Sequence, residues 1–153
     1  MPDLRTRIGS ALKQAMRDKD AVQLSTLRLI NAAIKDRDIA LRGDGKDDGV
    51  ADAEVLQILG RMVKQRHESA RAYEEGGRLE LAEKEQAEAK VIEGFLPRKL
   101  DDAEVEAAIG GAISETGAES VRDMGKVMGA LKAKYAGQMD FGAVGPMVKE
   151  RLA

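Results

Sequence analysis

His67 is the only side chain in this sequence whose unperturbed titration falls near neutrality, so general-base, zinc or nucleophile-activating chemistry would have to begin there. It stands in Lys64-Gln65-Arg66-His67-Glu68-Ser69. A zinc helix of the His-Glu-x-x-His kind needs a second histidine four residues on, and position 71 is Arg71. His67 therefore reads as a surface histidine. No serine stands in a Gly-x-Ser-x-Gly elbow, and one histidine on a charged helix is a poor base for a hydroxyl nucleophile. Glu80, Glu83, Glu85 and Glu88 could in principle pair as acid and base or hold a metal. Lys84 interrupts them and no histidine is close by, so a solvated helix face is the better reading. The chain has no cysteine, which excludes thiolate metal sites, disulfides and thiol nucleophiles. No phosphate loop of the Walker or dinucleotide kind occurs. The expectation is a protein with no catalytic residues, no metal and no cofactor of its own.

A different kind of site is suggested by the stretch Asp123-Met124-Gly125-Lys126-Val127-Met128-Gly129-Ala130-Leu131-Lys132-Ala133-Lys134-Tyr135. At about 100° per residue, Met124, Val127, Met128, Leu131 and Tyr135 share one face, which must be the core. Gly125, Gly129 and Ala133 line another, with Lys126 on one side and Lys132 on the other. Each glycine inside a helix costs roughly 1 kcal/mol relative to alanine, so something should compensate. Another helix could pack on the smooth strip. Alternatively a nucleic-acid backbone could approach it, with lysines meeting phosphates and the free amides of the helix start offering an anion site. From Arg122 to Lys134 four basic residues stand against one acidic.

The elements that must position these residues follow from apolar periodicity. Leu4, Ile8, Ala11, Leu12, Ala15 and Met16 predict a first helix capped by Asp3, and Leu24, Leu27, Ile30 and Ile34 a longer second one running to Leu41. Arg42 to Gly49 carries three glycines and no apolar residue, which predicts a mobile loop ending at Asp52 as a cap. A third helix holds Val55, Leu59, Met62, Val63, Ala70 and Tyr73 and stops at Gly76-Gly77. A fourth runs from about Leu79 to Phe95. Pro97 disfavours helix at Leu96 and marks a boundary. Three short helices follow: Asp101 to about Ser114, Asp123 to Tyr135 and Phe141 to Leu152. The expected fold is all-α: antiparallel helical hairpins in an amino-terminal domain, 1–96, then a small three-helix domain, 97–153.

Composition agrees with packed helices. Aromatic residues are 3% of the chain and charged residues 34%, so Leu, Ile, Val, Met and Ala must build the core. The net charge of -2 gives no global pull towards nucleic acid or anionic lipid, so an anion site must be a local patch. No apolar run approaches the length of a membrane span, and charges at Arg5, Arg7 and Lys13 break any secretory leader. Together with the missing cysteines these features lead to the expectation of a cytoplasmic protein with no membrane partner.

Several segments taken together resemble the YqeY family, whose carboxy-terminal part is similar to the tail domain of the B subunit of the aspartyl/glutamyl-tRNA amidotransferase, the GatB/YqeY domain. They are Leu24-Ser25-Thr26-Leu27-Arg28-Leu29-Ile30 with Ala32-Ala33-Ile34-Lys35, Lys64 to Ala70, and Tyr73 with Gly76-Gly77-Arg78 and Glu80-Leu81-Ala82. Glu85, Phe95-Leu96-Pro97 with Leu100, and Asp123 to Gly129 complete the set. The resemblance spans nearly the whole chain. It implies tRNA contact in translation, and a link to carbon-nitrogen ligase activity with glutamine as amide donor that belongs to the larger enzyme. By this resemblance the nucleic-acid contacts fall on Gly125, Lys126, Gly129, Lys132 and Lys134, to which the local charge adds Arg122. The main alternative is a protein-interaction module that docks on an aminoacyl-tRNA synthetase or amidotransferase, the glycine strip receiving a partner helix. A part in amide transfer as an enzyme component is a third reading.

Overall fold

Asp3, Asp20, Asp101 and Asp140 each stand just ahead of an apolar-periodic run, and each carboxylate accepts a hydrogen bond from an amide of the turn that follows. A helix start leaves its first amides without partners, and these carboxylates satisfy one each. In a computed structural model, which describes residues 3–45 and 49–153, the outcome is all-helical. Among the described residues there are seven α-helices, one short 3-10 turn and no strand. The helices are α1 (Leu4–Asp18), α2 (Ala21–Gly43), α3 (Asp52–Glu75), α4 (Leu79–Glu93), α5 (Asp102–Thr116), α6 (Met124–Tyr135) and α7 (Phe141–Leu152). They fall into two compact units, Met1–Leu96 and Pro97–Ala153.

In the first unit α1 packs on α2, α2 on α4, and α3 lies along α4. Ile8, Leu27, Ile30, Leu59 and Ile92 are fully buried, each burial contributing roughly 1.5–3 kcal/mol. Farther along α3 and α4 the buried seam is made of Ala70, Ala82 and Ala89. Gly77, at φ 74, turns the chain between the two helices in the left-handed region that side chains avoid. One carboxylate ties the base of this unit together. Asp38, on α2 and buried, receives both guanidinium nitrogens of Arg5 at 3.0 and 2.7 Å and the amide of Val50 at 2.9 Å. Gly49, at φ 80, passes so close that a Cβ would lie 3.1 Å from Arg5 and 3.2 Å from Asp38.

These contacts revise the reading of the 42–49 stretch. Arg42 and Gly43 continue α2, and the approach to α3 is held by Asp38, with Val50 buried. Lys46, Asp47 and Asp48 lie outside the described residues. Asp52 does not cap α3, because the preceding position belongs to Ala51 and Asp52 is already inside the first turn, where its charge suits the helix dipole.

In the second unit α5 packs on α6 and α6 on α7, around Ile109, Val127, Leu131 and Val148. Asp101 and Glu104 form a reciprocal capping box at the start of α5. Arg98 holds Glu104 through two hydrogen bonds of 2.8 and 2.7 Å, and together with the Asp101 amide it lowers that carboxyl to about 2. Pro146 sits inside α7, following Gly145, which has no Cβ to crowd the proline ring.

Candidate nucleic-acid interface

The 3-10 turn Val121–Asp123 runs directly into α6, and α6 carries Lys126, Lys132 and Lys134 with no acidic residue. Val127 and Leu131 anchor the helix in the core, which fixes its rotation and leaves Gly125, Lys126, Gly129 and Lys132 exposed. A Cβ built on Gly125 or on Gly129 would meet nothing within 4 Å. Within the second unit no described residue therefore packs on the strip at these two glycines. Lys126 and Lys132 border it. Arg122, also exposed, precedes it in the 3-10 turn.

Lys134 lies elsewhere. Nine residues at about 100° each place it roughly half a turn round the helix from Gly125. There it lines a small cleft of about 90 Å³ between α5 and α6 together with Ala107, Gly111 and Glu115, and its ammonium stands 5.7 Å from the centre of the Tyr135 ring. A second cleft, about 260 Å³, is lined by Leu100, Glu104, Ala107, Ala108 and Tyr135. Both are smaller than the usual 300–1,000 Å³ ligand pocket. Lys132 and Lys134 also occupy the last turn of α6, where cations favourably meet the helix dipole whatever else they do.

The 3-10 turn takes up the amides that lead into α6, those of Arg122, Asp123 and Met124. The Ser120 hydroxyl accepts from the Arg122 amide at 3.3 Å, the Ser120 carbonyl from the Asp123 amide at 2.9 Å, and the Val121 carbonyl from the Met124 amide. Asp123 turns its carboxylate back to the Glu119 amide at 3.0 Å, and that bond keeps it ionised below the ordinary aspartate range. Its negative charge, beside Lys126, offsets part of the local positive charge. What α6 presents is an open glycine strip edged by lysines.

The acid and base candidates separate in the first unit. His67 is half exposed and its Nε2 lies 3.0 Å from Glu93 of α4. Glu80 and Glu83 are exposed, as a solvated face requires, but Glu88 is buried and lies 3.4 Å from the Nε of Arg66. It faces α3 because its side of α4 also carries Ile92, so it left the expected face for the seam. Periodicity through Ile92 could have placed it there. Among the described residues no three His, Cys, Asp or Glu side chains gather as a metal site, and no helix is long and apolar enough to cross a membrane.

The family model described as "Yqey-like protein" matches residues 5–152. The chain is 43% identical over 86 residues to a protein of Meyerozyma guilliermondii named "Altered inheritance of mitochondria protein 41, mitochondrial"; the match covers 56% of this chain and 42% of that protein. It is 37% identical over 87 residues to the protein of the same name from Clavispora lusitaniae, covering 56% of this chain and 46% of the relative. A match to the Pyrenophora tritici-repentis protein of that name is 27% identical over 135 residues, 86% of this chain and 71% of the relative. The chain thus spans about half the length of the first of these curated relatives. Their mitochondrial names overturn the expectation of a cytoplasmic protein. That expectation rested on missing cysteines and a charged amino terminus, which speak to disulfides and to a secretory leader and not to an organelle.

Proposed function

The chain belongs to the YqeY family, and we propose that it serves there as a tRNA-binding accessory protein that catalyses nothing alone. In this reading Arg122, Lys126 and Lys132 meet phosphates, Gly125 and Gly129 let the RNA backbone come close to α6, and Lys134 contributes from the margin. The observation that carries it is the open strip: two glycines that weaken their own helix, with no described residue of the second unit packed on them, edged by lysines on a helix without acidic residues. The second unit acts as a three-helix RNA-contacting domain, and the amino-terminal helices, as antiparallel hairpins, provide an arm. With few aromatic side chains, recognition rests on shape and phosphates and not on base stacking.

A filter-binding titration against total tRNA with a salt series tests it. Affinity should fall with salt at a log-log slope of roughly -3, as expected for about four neutralised phosphates. Lys126→Glu with Lys132→Glu should weaken many tRNAs alike, since phosphate contacts position RNA without reading its bases. Gly129→Leu should weaken binding even at low salt, by blocking approach with the charge unchanged. Unchanged affinity in these variants, with helix content intact by circular dichroism, would remove RNA from this face. The strip would then fit a helix of a synthetase or amidotransferase.

A further inference from the structure

Helix α2 turns Leu27, Ile30 and Ile34 into the core, and most residues of its other side are exposed among the described residues. Along that side Val22 and Leu29 are seven residues apart, and so are Ala32 and Ile39. Val22 and Leu29 are each 45% exposed and Ile39 63%, unusual for branched apolar residues on a surface rich in charge. Beside them runs a second row at the same interval, Arg28, Lys35 and Arg42, all exposed. Neither Arg28 nor Lys35 has an ion-pair partner among the described residues. Val22, Leu29, Ala32 and Ile39 fall on two adjacent rows of a seven-residue repeat, with Ser25 and Asp36 at the intervening positions and charge along one edge, an arrangement by which one helix can receive another lengthwise. At about 1.5 Å per residue, a helix of 23 residues is long enough for that contact.

We propose that this side of α2 docks a helix of another protein, apolar at three- and four-residue spacing and carrying Asp or Glu every seven residues along the edge that meets Arg28, Lys35 and Arg42. The charges decide between occupants. A second copy of α2 laid antiparallel would set the cationic row against itself, and a parallel copy would oppose it with Thr26, Ala33 and Ala40, which carry no charge. An anionic bilayer is disfavoured by Asp36, which stands in line with Val22 and Leu29 and would be pressed against hydrocarbon. Facing a helix, the same Asp36 sets register by meeting a Lys or Arg of the partner. This surface lies in the first unit and does not depend on RNA binding at α6.

The test uses the full chain and two designed helical peptides that share one apolar heptad stripe, the first with Glu and the second with Lys at the edge positions. Fluorescence anisotropy should show the Glu peptide bound about tenfold or more tighter than the Lys peptide, three edge pairs acting together. The triple variant Arg28→Glu, Lys35→Glu, Arg42→Glu should reverse that order, and Leu29→Asp should weaken both peptides. All four residues are exposed, and circular dichroism checks that the variants keep their helices. Absence of binding by both peptides, equal binding, or an unchanged preference in the triple variant would overturn the proposal. So would self-association or binding to vesicles of anionic lipid that Leu29→Asp abolishes while the Glu peptide fails to bind. Lys126→Glu with Lys132→Glu should leave peptide binding intact, so a failure here is distinct from a failure of the RNA reading.

Discussion

Asp38 joins three segments at one carboxylate, and its titration makes the junction measurable. The Arg5 guanidinium holds the carboxyl below its ordinary range, with the Val50 amide adding to the effect against the cost of burial. A carboxyl depressed on folding contributes stability above its unfolded pKa of about 4 and loses it as pH falls through the folded value. Glu104, lowered to about 2 by Arg98 and the Asp101 amide, acts in the same direction. Urea unfolding midpoints should therefore hold steady from neutrality down to about pH 5 and decline below it. Asp38→Asn should cost about 1–3 kcal/mol at pH 7, towards the lower figure because Arg5 is 41% exposed and keeps access to water. The gap between wild type and variant should narrow as the pH drops towards 3; a constant gap would mean that Asp38 acts by shape and not by charge. The capping pair Asp101 and Glu104 is local, but the long-range partners were not legible in the sequence. Arg5 and Asp38 are 33 positions apart and His67 and Glu93 are 26 apart, and no local spacing pairs them.

Helices were the legible level, because their signals are local. Asp3 caps α1 as expected and Leu4, Ile8 and Ala15 behind it are buried, while Met16 of the same run is exposed; Asp20 and Asp101 cap their helices too. The misses have local causes too. The Val121–Asp123 turn takes up amides that periodicity alone leaves free, and Asp52 was displaced from the cap by a helix that starts one residue earlier. The glycines of α6 were visible as a strip, but only the structure shows that no described residue of the second unit packs against Gly125 and Gly129. That observation makes a sharp prediction about the element. Gly129→Ala adds a methyl group to open space inside a helix, so it should stabilise the protein by about 0.5–1 kcal/mol, seen as a higher melting temperature. A loss of stability would reveal a neighbour over the strip. Since alanine is nearly as smooth as glycine, the same variant should disturb tRNA affinity far less than Gly129→Leu.

The described residues form two apolar clusters that share no residue: one centred on Ile8, Leu27, Leu59 and Ile92, the other on Ile109, Val127, Leu131 and Val148. A cluster that closes on itself is a cooperative unit with its own opening free energy, and a substitution raises exchange only in the unit it destabilises. The two ends of the chain offer one clean perturbation each. Asp101→Ala removes the cap of α5 and should cost about 0.5–2 kcal/mol, while Asp38→Asn loosens the junction of α1, α2 and the entry to α3. Hydrogen exchange followed by mass spectrometry should then show faster exchange between 97 and 153 for the first variant, with 3–45 and 49–96 unchanged, and the reverse for the second. Equal acceleration in both units by either variant would mean that the clusters open together, and α6 would then answer to events at α2.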